Sequence, residues 1–100
     1  MSTSIFQYPF DKVFRSTRGA LEILGYKIVK ADLLNGCISA KSGFTLIMPG
    51  TKVDIVIVEI ENHNTRVTIK QKALPNYFTN RKRDVEREES KILGVLSDIL

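Results

Sequence analysis

Lys52-Val53-Asp54-Ile55-Val56-Ile57-Val58-Glu59-Ile60 is the stretch that decides the fold. Six branched aliphatics without a glycine or proline read as a β-strand. Successive side chains on a strand leave opposite faces, so Val53, Ile55 and Ile57 point one way while Val56, Val58 and Ile60 point the other. A sheet covered by helices on one side needs only one apolar set per strand. One trio is therefore left on the far side, where fully covering each side chain is worth roughly 1.5 to 3 kcal/mol. Val53, Ile55, Ile57, Val56, Val58 and Ile60 together form the candidate interaction face, for a second copy of the chain or for another protein.

The flanking hairpins disagree about which trio lies inside. An even loop at Asn62-His63 sets Ile60 opposite Thr65, Val58 opposite Val67 and Val56 opposite Ile69, with the even set in the core. A turn at Pro49-Gly50 sets Leu46 opposite Val53 and Phe44 opposite Ile55, with the odd set in the core. One of the two hairpins must contain a bulge or an odd loop.

Working outward, the neighbouring segments supply three more strands. Tyr26 to Asp32 is the first, closed by a turn at Asn35-Gly36. From Cys37, Ile38, Ala40, Ser42, Phe44 and Leu46 alternate with Ser39, Lys41, Gly43 and Thr45 along the second. Thr65 to Lys72 is the last, with Val67 and Ile69 on one side and Arg66, Thr68, Lys70 and Lys72 on the other. Ahead of the strands, Phe10, Val13, Phe14, Thr17, Leu21 and Leu24 recur at helical spacing, with Pro9 at the start and Gly25 at the stop. Behind them, Val85, Ile92, Leu93, Leu96, Ile99 and Leu100 mark a second helix capped by Thr79 or Asn80. The expected fold is a two-layer α+β sandwich in the order α-β-β-β-β-α, a four-stranded antiparallel meander with both helices on one face. It is a single domain over 1–100, with an N-terminal arm at 1–8, helices at 9–24 and 80–100, and the sheet at 26–72.

The chain has 100 residues, 15 Lys and Arg, 11 Asp and Glu, and one cysteine. A chain of this length buries about 65% of its surface and builds a core without disulfides or metals. Lone Cys37 reads as a small packed hydrophobe, no apolar run reaches membrane-spanning length, and the opening Met1 to Pro9 lacks a basic and apolar leader, so a cytoplasmic protein is expected. The positive excess is local: between Asn62 and Arg83 there are six basic residues and no acidic one. Arg66, Lys70, Lys72, Arg81, Lys82 and Arg83, with Tyr77 and Phe78 as stacking rings, make nucleic-acid or anionic-surface binding the alternative function.

Catalytic machinery is not expected. His63 sits in a turn without an orienting carboxylate and a nucleophile beside it. Glu59, Glu61 and His63 share strand parity, yet a strand running into a polar turn explains them, so no metal and no cofactor is expected. The glycines follow no phosphate-binding pattern. A small apolar ligand between helices and sheet would need a cavity at Phe14, Phe44 and Leu96.

Phe10-Asp11-Lys12-Val13-Phe14, Leu24-Gly25-Tyr26-Lys27-Ile28, Asp32 and Gly36-Cys37-Ile38-Ser39-Ala40 together resemble small bacterial helix, four-strand, helix domains, and more distantly the repeated domains of the outer-membrane assembly lipoprotein BamC. The resemblance covers about residues 9 to 72 and rests on caps and turns. It implies the fold and a role as an interaction module, and it carries over no catalytic or binding residue.

Overall fold

The computed structural model describes residues 1–41, 51–73 and 81–100, apart from the side chains at 51, 71–73 and 81–88. Its elements are β1 (Ser2–Phe6), α1 (Phe10–Ile23), β2 (Lys27–Asp32), β3 (Cys37–Lys41), β4 (Thr51–Ile60), β5 (Asn64–Ala73) and α2 (Arg81–Ile99). The strands form one antiparallel sheet in the order β1-β5-β4-β3-β2. The fold is α+β as expected, but the described residues form a sheet of five strands rather than four. The segment expected to be an arm over 1–8 contains β1, which pairs with β5 from Ser2 opposite Ile69 to Phe6 opposite Thr65.

Helix α1 follows its stripe closely. Pro9 is the extended residue before the first turn, Val13, Phe14, Thr17, Ala20 and Leu21 are buried, and Gly25 follows the helix with φ +84°. Only glycine holds that dihedral without strain, which stops the helix there. Gly36 in the β2–β3 turn is constrained further. At φ +66°, a Cβ on it would collide with the Ile57 carbonyl oxygen and lie 3.2 Å from the Phe10 ring. The Ile57 amide donates to the Gly36 carbonyl at 2.7 Å, so this turn is also a seam between β3 and β4.

The conflict over β4 is resolved by the hairpin that follows it. Three residues, Glu61–His63, make a turn of 3-10 type between β4 and β5, with Asn62 and His63 both at φ 61°. An odd loop shifts the pairing by one relative to the even-loop expectation. Ile60 now faces Asn64, Val58 faces Arg66, Ile57 faces Val67 and Ile55 faces Ile69. Every side chain on β4 changes face accordingly. Val53, Ile55 and Ile57 are buried in the core with Val67 and Ile69, and Val56 and Val58 are exposed. The expectation that Leu46 and Phe44 face Val53 and Ile55 also fails, because Ala40 and Ile38 occupy those positions. The face assignment survives that error, since residues 38, 40, 44 and 46 share one parity. Phe44 and Leu46 themselves lie outside the described residues.

Both helices lie on the side of the sheet to which the odd set of β4 points, α1 over β2, β4 and β5 and α2 over β5 and β1. Val13, Phe14, Ala20 and Leu21 of α1 join Ile92 and Leu96 of α2, the three buried residues of β4, and Ile38, Ala40, Val67 and Ile69 in one core. Both edge strands are short. The β2 edge is also broken by a bulge at Val29 and carries Lys27 and Lys30, features that discourage pairing with another sheet.

Gly36→Ala is expected to lower stability by about 3 kcal/mol, combining left-handed backbone strain with loss of the Ile57 hydrogen bond. Chemical denaturation monitored by circular dichroism checks it, and a change under 1 kcal/mol contradicts the close approach. Within the same turn, the Asn35 side-chain amide donates to Asp32 at 2.7 Å and the Asn35 backbone N–H at 3.1 Å, holding the Asp32 carboxyl below its ordinary value. A depressed carboxyl stabilises above its unfolded pKa and loses that contribution as pH falls through the folded value. NMR titration should place the Asp32 midpoint below that of an exposed aspartate, with the Asn35 amide signal moving alongside it.

Candidate functional site

The candidate site is the sheet face turned away from the helices, and its layout follows from register alone. Near the β4–β5 turn, one row across the strands is Ile5, Arg66 and Val58. The next row is Thr3, Thr68, Val56, Cys37 and Asp32, followed by Lys70, Asp54, Ser39 and Lys30. Four lysines make the last row: Lys72 of β5 pairs with Lys52 of β4, Lys52 with Lys41 of β3, and Lys41 with Lys27 of β2. The face therefore has an apolar end and a cationic end.

At the apolar end Val56 is 40% exposed, Val58 37% and Ile5 57%. Ile60, at the end of β4, is half-buried. Val53, Ile55 and Ile57, the other half of the predicted interaction face, are core residues and offer no surface. Toward the cationic end Asp54 accepts a hydrogen bond from Ser39 Oγ at 2.7 Å. Lys27, Lys30, Lys41, Lys52, Arg66 and Lys70 are all exposed, against the two carboxylates Asp32 and Asp54 on this face.

The basic segment read from the sequence is thus divided. Arg66 and Lys70 lie on the outer face, and Lys72 takes the register position opposite Lys52. Tyr77 and Phe78 lie outside the described residues, as do the side chains of Arg81, Lys82 and Arg83, whose backbone opens α2. Linear reading missed Lys27, Lys30, Lys41 and Lys52, which belong to the part of the chain that is slightly acidic overall. Their signal was strand parity: Lys41 and Lys52 alternate with buried Ala40 and Val53.

One buried carboxylate also escaped the sequence reading. Glu89 of α2 is 0% exposed, and its Oε1 accepts a hydrogen bond from Ser2 Oγ at 2.5 Å and lies 3.3 Å from the Met1 amino group. It falls on the helical stripe between Val85 and Ile92, a spacing that marks it as inward-facing. A buried charge needs polar partners, and Ser2 supplies one from the inward side of β1. At the other end of β1 the Thr65 hydroxyl donates to the Tyr8 carbonyl at 2.7 Å.

Other groups stand apart. Glu59, Glu61 and His63 are exposed where β4 turns into β5. Among the described residues no three His, Cys, Asp or Glu side chains stand close enough together to hold a metal ion. Cys37 is half-buried, its thiol directed to the Asn35 carbonyl at 3.6 Å. Phe14 and Leu96 are core residues, while Phe44, the third wall of the apolar cavity considered above, lies outside the described residues. A groove of about 390 Å³ runs between α1 and the end of β2, lined by Asp11, Phe14, Arg15, Arg18, Ala31 and Leu33. No helix among the described residues is long and apolar enough to cross a membrane.

The arrangement is similar to a known architecture. A crystal structure of Ara h 8.0201, a Bet v 1-like chain, superposes with a TM-score of 0.61 at 12% identity, covering 98% of this chain and 93% of that one. At that identity the likeness shows the fold alone. No protein-family model and no curated protein matches the chain.

Ser2→Ala is expected to destabilise the protein by about 1 to 3 kcal/mol, because it leaves a buried carboxylate short of a donor. Urea unfolding measures the loss, and faster hydrogen exchange at the β1 amides locates it. An unchanged midpoint with unchanged β1 protection would show that Ser2 does not tie β1 to α2.

Proposed function

We propose that this chain is a non-catalytic binding module whose outer sheet face contacts a protein, either a second copy or another chain. The observation that supports it is the exposure of Val56 and Val58 together on β4, with Ile5 of β1 across Arg66 and Thr68 of β5, at one end of the face. Large apolar side chains grouped on a sheet surface gain by being covered, whereas scattered ones are ordinary. The resemblance to small helix, four-strand, helix domains read as interaction modules points the same way.

The energetics set the strength. Covering what remains exposed of these three side chains is worth roughly 3 kcal/mol, well below the 8 kcal/mol of a micromolar complex. Self-association through this patch alone is weak, and a tighter complex draws on polar contacts around it. The lysines on the same face repel their counterparts in a second copy, so added salt strengthens self-association by screening.

Sedimentation velocity at increasing protein concentration and two salt levels is the test. The expected result is a reversible dimer favoured by salt and abolished in Val56→Lys/Val58→Lys. A strictly monomeric wild type up to the highest concentration removes self-association, leaving another protein as the partner.

A further inference from the structure

The cationic end of the outer face has a geometry of its own. Lys72, Lys52, Lys41 and Lys27 occupy directly opposed positions on four consecutive strands of the sheet. Like charges directly opposed across strands destabilise a sheet. Strands lie about 4.8 Å apart, so the row spans about 14 Å. Lys30 and Lys70 flank it one row further in, and the carboxylate between them, Asp54, is already engaged by Ser39.

We infer that this end of the sheet docks the sugar-phosphate backbone of a nucleic acid, independently of the protein contact at the apolar end. Charge density separates nucleic acid from an acidic protein. A B-form duplex carries one negative charge per about 1.7 Å of axis, fixed to the backbone whatever the base sequence. An extended peptide turns a side chain to one face only about every 6.8 Å and is charged there only where its sequence is acidic. The face carries no aromatic side chain among the described residues, so bases have nothing there to stack on. Contacts to phosphate alone hold position without reading sequence, so binding is indifferent to sequence and steeply dependent on salt.

The test is fluorescence anisotropy with a labelled single-stranded DNA and its duplex, titrated with the full chain between about 50 and 200 mM potassium chloride. Binding should weaken with a log–log slope of about −4 or steeper, irrespective of base sequence. Lys41→Gln/Lys52→Gln should make the slope shallower by about 2, while Lys91→Gln on α2 leaves it unchanged. Removing two opposed like charges also leaves the double variant melting at or above the wild-type temperature, so lost binding is not lost folding. Absence of binding to both DNA forms at low salt overturns the inference. An unaltered slope in the double variant does so too, and so does tighter binding to polyglutamate or to anionic phospholipid vesicles than to DNA.

Discussion

Strand parity along β4 is the constraint on which the rest of this structure depends. Both faces of that strand carry branched aliphatics, so hydrophobicity by itself does not choose the buried set. The choice falls to the three-residue turn Glu61–His63, which pairs Ile57 with Val67 and Ile55 with Ile69 and so aligns apolar with apolar on one side only. A two-residue turn would set Arg66 against Glu59 and bury Val56 and Val58 instead. The left-handed backbone at Asn62 and His63 is the local strain that accompanies the odd loop, in residue types that tolerate it better than most. Once this register holds, Ile38 and Ala40 follow on β3, and the odd set marks the side of the sheet on which both helices lie.

Two further contacts join elements far apart in the chain. Gly36 lets the β2–β3 turn approach the backbone of β4 and the ring of Phe10, so one turn touches the sheet and the first helix. The Ser2–Glu89 hydrogen bond ties the first strand to the last helix across 87 positions. Each partner is anomalous when taken singly, a serine pointing into a core and a carboxylate with no exposure. Together they satisfy one another, and β1 is seated by a polar contact where an apolar side chain would ordinarily serve.

This explains what was legible in the sequence and what was not. Helix α1 was legible because its stripe, its proline and its stopping glycine agree. So was the two-sidedness of β5, with Val67 and Ile69 buried and Arg66 and Lys70 exposed. Strand β1 was not, because its inward positions begin with Ser2 and Ser4 while its aliphatic Ile5 faces out, the reverse of the usual pattern. Hidden, too, was the register of β4. Two plausible turns implied opposite answers, and the odd loop that decides between them contains no glycine to announce it. The lysine row was invisible for a different reason: its members are spread over 45 positions, and only pairing brings them into line.

That row also bears on how stability and function divide this face. One row in, Lys70 stands opposite Asp54, the alternation of sign that a sheet selected for stability alone would repeat. The last row breaks the alternation three times in succession, between Lys72 and Lys52, Lys52 and Lys41, and Lys41 and Lys27. Each opposed pair costs from about 0.2 to 1 kcal/mol relative to neutral neighbours, a small penalty. Small as the penalty is, exchanging Lys52 or Lys41 for glutamate would remove two of the three opposed pairs. A sequence that keeps all four gives up a little stability along this row. A second copy stacked on this face would bring the two lysine rows together, and their repulsion opposes that pairing.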